Sequence, residues 1–389
     1  GTSNSYTGGT FFYGGSLTGT NDNALGVSSN GVTLGSDAVA SGTLQLDGVT
    51  SVRHISLVGN SAIGVASNMA SVVSGNITGT GTLSKSDYGT LTLSGVVTNT
   101  GSLDFLTGTG AISGTVSVGG ELWAGASSDG NSFGVLNIQP GANVTVPSWI
   151  AIGRGGYGIL NMNGGTLTKG GNNGTHLTMA GAGSGETGIL NLNSGLIQDA
   201  TGDCWLGEQF TAIVNQNGGT LANTGGSVYM GRFAGADSTY NLNGGLLQTR
   251  SIIGNFVAVS NAVFNFNGGT LQAATNSKAF MQGLTAAYVT TNGAIIDSAN
   301  FNITIAQALA NATNGSGPGG LVKLGTGALT MTGASTFSGP ILVSGGSVVL
   351  TPSHHGTNAV TVADNATFGT VEGSSALTMG DLVLSNSTV

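Results

Sequence analysis

The sequence predicts an all-β fold, a β-solenoid in which one chain winds into a single-stranded parallel β-helix of about 25 residues per coil. Three observations point to it. The composition favours strands and corners, a phrase returns about every two dozen residues, and an alternation gives each strand an inner and an outer face.

Of 389 residues, 71 are glycine and 6% are charged, where an ordinary soluble domain has about 25% charged residues. Gly and Asn supply positive-φ corners, and Thr, Val, Ile, Leu and Phe supply strands. The charged helix formers of bundles and coiled coils are scarce. Five prolines and no glycine at every third position exclude collagen. A hydrophobic fraction of 39% is too high for disorder. Gly, Ser, Thr or Asn interrupts every apolar stretch before the ~18–20 residues of a membrane helix, so no transmembrane segment is expected. Lys and Arg total 8 against 16 Asp and Glu, a net charge of −8. Such a chain builds no basic patch, and nucleic acid is not an expected partner.

The repeat reads GVLNIQPGANV (134–144), GILNMNGGTLT (158–168), GILNLNSGLIQ (188–198), AIVNQNGGTLA (212–222), TYNLNGGLLQ (239–248) and VFNFNGGTLQ (263–272). Its first asparagines are Asn137, Asn161, Asn191, Asn215, Asn241 and Asn265, in steps of 24, 30, 24, 26 and 24. Between the copies runs a second phrase: WIAIGR, HLTMAG, CWLGE, VYMGR and SIIGN. Each unit thus holds an apolar strand ending at a corner, a variable loop, an Asn-bearing strand, a Gly corner and a short third strand. One such unit is one coil, roughly 15 coils in all.

Period-2 alternation assigns the faces. Leu160, Leu190, Val214, Tyr240 and Phe264 form an inward stack, with Met162, Leu192, Gln216, Leu242 and Phe266 two residues on. Ile152, Met179, Leu206, Met230, Ile253 and Met281 are expected to make an inward column on another wall. The Asn series then forms an outer ladder, whose stacked amides hydrogen-bond along the axis and hold register. A glycan- or ice-binding face is the second reading of that ladder.

Outside this tract, NSYTGGTFFYGGSLTGTNDNALGVSSNGVTLGS (4–36), ITGTGTLSKSDYGTLTLSG (77–95) and GGLVKLGTGALTMTGASTFSGPILVSGGSVVL (319–350) form another repeat. With the Gly-Leu-x-Lys-x-Gly-x-Gly-x-Leu run at 320–329 and the Ser-Tyr-Thr-Gly-Gly-Thr start at 5–10, they resemble the autotransporter-associated β-strand repeat of exported bacterial proteins. The central copies look like the related repeats of autotransporter passengers. This resemblance implies a right-handed parallel β-helix outside a bacterial cell, extracellular or at the surface, and it brings no catalytic residues. It divides one continuous solenoid into N-terminal autotransporter-type coils (1–130), central NxNGG coils (131–300), an irregular junction (301–320) and C-terminal autotransporter-type coils (321–389). The Lys-x-Gly-x-Gly half expected before Tyr6 is missing, and no translocator strands or sorting tail follow. Either the chain is a processed fragment, or something else completes the half-repeat.

Reactive chemistry is sparse, and no enzyme is expected. The acids are dispersed; Asp199, Asp203 and Glu208 are the nearest set, with Asp22 among asparagines, and they read as solvated loop charges rather than a catalytic pair. His354 and His355 read as an exposed turn beside Pro352, and a metal would need a third ligand such as Asp364. His54 and His176 are isolated. No cofactor is expected. Cys204 reads as a buried, inert thiol. Trp123 and Trp149 read as core or capping residues, with sugar-stacking platforms as the alternative. AQALANA (306–312) is the best helical stretch and is expected to form a surface helix or a junction between the two repeat types.

These features point to a non-enzymatic structural protein. Its expected partner is itself, head to tail, because a parallel coil with an open edge can receive another strand. The alternative is an adhesin for glycans or surfaces, using the Asn face or the residues after the Gly corners: Arg154, Glu208, Arg232 and Asn255. A polysaccharide-degrading enzyme is third.

Overall fold

The computed structural model describes residues 4–36, 42–126, 132–171, 174–181, 185–254, 260–312, 318–371 and 376–385. Asn255 lies outside them. The chain forms a parallel β-solenoid of about 14 turns with roughly 24 residues per turn. It contains no α-helix among the described residues, only a short 3-10 turn at Asp22–Leu25. Contacts divide it into two compact units. The first holds Gly1–Asn191 and Gly195–Ile197, and the second Leu192–Ser194 and Gln198–Val389.

In each unit a coil contributes two strand segments to one sheet and one segment to another. Leu103–Phe105, Gly108–Ile112 and Thr115–Val118 are one such coil in the first unit. The next coil repeats them as Leu122–Ala126, Ser132–Ile138 and Asn143–Val146, in parallel register. Coil length varies along the chain, from 27 residues between Leu17 and Leu44 to 19 between Leu103 and Leu122. Leu83 lies beside Leu103, and Leu103 beside Leu122, steps of 20 and 19 residues. In the NxNGG coils Cys204 lies beside Val228, and Val228 beside Ile252, steps of 24.

The inner face is closely filled. Leu160, Leu190, Val214, Tyr240 and Phe264 are each at most 1% exposed. Leu136 aligns with Leu160 in the first unit, and Val214, Tyr240 and Phe264 align in the second. The Tyr240 and Phe264 rings stack at 5.0 Å. Gln216, polar in an apolar column, is fully buried; its Oε1 accepts from the Tyr240 hydroxyl, and its Nε2 donates to the Leu246 carbonyl at 2.8 Å.

Two expectations about the fold are corrected. Ile253 does not point inward: it pairs with Tyr229 on the outer face, while Ile252 takes the inner position at 0% exposure. Two adjacent isoleucines leave the alternation ambiguous, and cross-coil register decides it. AQALANA forms no helix either. Ile303–Ile305 and Leu309–Asn311 are strands, with Leu309 buried beside Ala287. Seven residues are too few to nucleate a stable helix, and the open edge of the neighbouring coil supplies hydrogen bonds instead.

The buried cations are structural. Lys323, of the Gly-Leu-x-Lys-x-Gly run, is 0% exposed. Its Nζ donates to the carbonyls of Leu324, Gly325 and Gly345 at 2.7, 3.0 and 3.2 Å, tying one corner to that of the next coil. Lys85 occupies the same place in the 77–95 repeat and donates to the carbonyls of Ser86 and Asp87. Burial lowers both amines to about 8, partly opposed by Asp297 and Asp87 respectively. Arg53 is the third. Its Nε meets Asp22 Oδ1 at 2.9 Å, and its Nη atoms donate to the carbonyls of Asp22, Leu25, Gly26, Val27 and Asn30. One planar fork thereby satisfies a loop that has no ladder of its own.

Candidate functional site

Two outer faces bring polar chemistry together. On the Asn-bearing sheet of the first unit, Asn161 donates to Asn137 at 2.9 Å and Asn191 to Asn161 at 2.8 Å. In the second unit, Asn241 donates to Asn215 and Asn265 to Asn241, at 2.9 and 2.8 Å. A parallel ladder lies two residues on, where Asn217, Asn243, Asn267 and Asn292 each donate to the preceding asparagine, beginning at Asn193. Sequence reasoning missed this second ladder, although its signal is the second Asn of each NxN phrase. Between the two ladders runs a groove of about 430 Å³, lined by Asn241, Asn243, Asn265, Asn267, Tyr288 and Thr290. Each amide spends one N–H and one oxygen lone pair within its ladder, so the stacks are largely self-satisfied.

The other sheet carries a different set. In the first unit, the strand Leu122–Ala126 is preceded by Glu121 and presents Trp123 outward; both residues are partly exposed. The next coil turns at Gly153, whose φ is +68°. A Cβ there would sit 2.2 Å from the Thr187 carbonyl oxygen, so only glycine fits. The turn carries Arg154 back over the preceding coil. Its guanidinium lies 5.1 Å from the Trp123 ring centre, 6.0 Å from that of Trp149, and 3.5 Å from Glu121 Oε2. Trp123 Nε1 donates to the same Glu121 oxygen. His176 meets the Trp149 ring edge to face at 5.0 Å. Asp104, register partner of Trp123, has a buried Oδ1 without a hydrogen-bond partner. Burial, and then Glu121, raises its carboxyl to about 7.

The second unit repeats this arrangement. The strand Cys204–Leu206 follows Asp203 and presents Trp205 outward, beside Tyr229 on the next coil. Gly231, with φ +71°, turns the chain. Arg232 then lies over Trp205 at 3.6 Å and pairs with Glu208 at 3.0 Å. Both clusters share the spelling acid-x-Trp-x-Gly in one coil and Gly-Arg at the corner of the next. That spelling is present in the sequence, but it lies outside the apolar columns that set the repeat register.

Several site readings are revised. Asp199 is not a solvated charge: it is 2% exposed and accepts from the Thr201 and Gly202 amides. Asp203 accepts from the Ser227 amide at 2.9 Å, bridging coils. His354 is not an exposed turn residue. It is 1% exposed, bonded to Asn358 Oδ1 at 2.6 Å and set edgewise to Phe337, and burial lowers its pKa. Trp123 and Trp149 lie on an outer face, partly exposed, rather than in the core. Cys204 is buried, and desolvation pushes its thiol far up. Among the described residues no three His, Cys, Asp or Glu side chains converge to hold a metal, and no helix is long and apolar enough to cross a membrane.

Residues 321–350 match the family model of the passenger-associated-transport-repeat. The match covers the buried Lys323 and its corner, the segment whose run resembles the autotransporter-associated repeat. No curated protein and no solved structure matches the chain significantly. The repeat and the β-solenoid together fit a surface or secreted bacterial protein.

Proposed function

We infer that the chain is a structural passenger: a stacked-coil element displayed outside a bacterial cell, acting through its rigidity and through assembly with further copies rather than through catalysis. The observation that carries this reading is the continuity of design within each unit. Inner columns, outer Asn ladders and buried lysine corners all serve the contact of one coil with the next. Such nearest-neighbour stability is additive and extensible.

Assembly with further copies is supported by exposed apolar side chains on two strands of the Asn-bearing sheet. Thr10–Phe12 pairs with Val32–Leu34, and Leu382–Leu384 with Val360–Val362. Around them Phe11, Tyr13, Val383 and Leu384 are 63, 56, 53 and 46% exposed. Exposed apolar groups of this size favour contact with another chain. The test is sedimentation and negative-stain microscopy of the purified 389-residue polypeptide, with Val383→Lys and Phe11→Lys as paired variants. Concentration-dependent linear assemblies that both variants suppress are expected. Monomers alone across the concentration series would refute the assembly reading.

A further inference from the structure

The acid-Trp-Gly-Arg arrangement occurs once in each unit, built from residues that the inner core does not use. Column packing explains why Leu206 and Cys204 are buried. It does not explain why the outward residue between them is tryptophan, or why an arginine is turned back over it. In the second unit the arrangement lines an open pocket of about 210 Å³ formed by Asp203, Trp205, Tyr229 and Arg232. That is smaller than the ~300–1,000 Å³ of drug-sized sites and suits one small ring.

The lining selects its ligand. Trp205 and Tyr229 stand side by side on adjacent coils as an aromatic wall, with Arg232 stacked on Trp205 and the Tyr229 hydroxyl bonded to Ser227. Arg232 pairs through Nη1 with Glu208, and a guanidinium has five N–H donors in all. Asp203 and Glu208 supply carboxylate acceptors. Two carboxylates around one guanidinium leave the site net negative, within a chain of net charge −8, so an anionic ligand is repelled. A neutral ring with an apolar face and hydroxyls at its rim fits all three features. Its C–H face meets the Tyr229 side of the wall, its hydroxyls donate to the carboxylates, and Arg232, stacked on Trp205, donates to its oxygens from the guanidinium rim.

We propose that the Asp203–Trp205–Tyr229–Arg232 pocket binds one neutral pyranose unit of a polysaccharide. This binding is independent of self-assembly, so either can fail without the other.

The test titrates the full chain with maltotriose, cellotriose and mannotriose, and with the matching polysaccharides. Polygalacturonate serves as the anionic probe and poly-lysine as the cationic probe. Trp123→Phe/Trp149→Phe protein leaves Trp205 as the fluorescent reporter. The expected result is saturable quenching by at least one neutral series. Affinity falls at least tenfold in Arg232→Ala and severalfold in Tyr229→Ala, is unchanged in Asn265→Ala, and every variant keeps a cooperative melt. Trp205→Ala is informative only alongside these, since the outer wall could repack around the smaller side chain. Failure of every neutral sugar to bind, binding confined to poly-lysine or polygalacturonate, or equal affinity in Arg232→Ala and wild type would overturn the proposal.

Discussion

The Tyr240 hydroxyl donates to Oε1 of Gln216, 2.5 Å away and one coil earlier, with both side chains 0% exposed. Each makes the other tolerable in the core, since a buried polar group without a partner costs about 1–3 kcal/mol. Gln216→Leu alone is therefore expected to destabilise the chain by about that amount, despite placing an aliphatic residue in an apolar column. Adding Tyr240→Phe should recover most of the loss. Denaturant melts of the two single variants and the double variant give the coupling directly.

That pair also marks how far the sequence was legible. The alternation around Asn215 assigned Gln216 to the inner row, correctly, because period 2 is a property of the strand and not of polarity. It could not supply the reason, which lies in Tyr240, 24 residues away. Inner columns and coil boundaries were readable because each repeats in every coil. The roles of Arg53, Lys323 and His354 were not, because a side chain that fills a corner meets backbone carbonyls, which have no sequence signature. The Trp–Arg clusters fell between these cases: the residues were noted, but their approach depends on the positive-φ turns at Gly153 and Gly231.

Lys85 and Lys323 make stability depend on pH in a predictable direction. Their amines titrate near 8 when folded and near 10.5 when unfolded, so above pH 8 the unfolded chain binds more protons and stability rises with pH. From about pH 8 upward the rise is partly opposed, because the unfolded Cys204 thiol ionises at ~8.5 while burial keeps the folded one protonated. Lys323→Met is expected to flatten part of the increase in Tm between pH 8 and 9, read by calorimetry against wild type.

Asp104 acts in the opposite sense. Its folded carboxyl titrates near 7, against about 3.9 unfolded. Between about pH 4 and pH 7 the folded state binds more protons, and stability falls as pH rises. Asp104→Asn should therefore melt above wild type at pH 8, and the gap should close by pH 4. A gap that is equal at both values would mean that Asp104 is ionised throughout.

Arg53 anchors residues 22–30 through a single guanidinium. Arg53→Leu leaves the Asp22 carboxylate and several carbonyls without their donor, a loss of the order of 3–5 kcal/mol. Arg53→Lys is expected to rescue little, because one ammonium cannot span the same set of acceptors. Hydrogen exchange should report the loss as faster exchange in residues 10–34, with the second unit unchanged.

The central claim is that successive coils stack in the register that aligns Asn241 with Asn265. Paired cysteines test it, since a disulfide needs Cα atoms about 4.4–6.8 Å apart. In a Cys204→Ser background, mild oxidation of Asn241→Cys/Asn265→Cys should close an intramolecular disulfide nearly completely. Asn241→Cys/Asn267→Cys, displaced by two residues, should remain largely reduced. Preferential closure of the displaced pair, or no closure of the aligned one, would contradict the stacked-coil account.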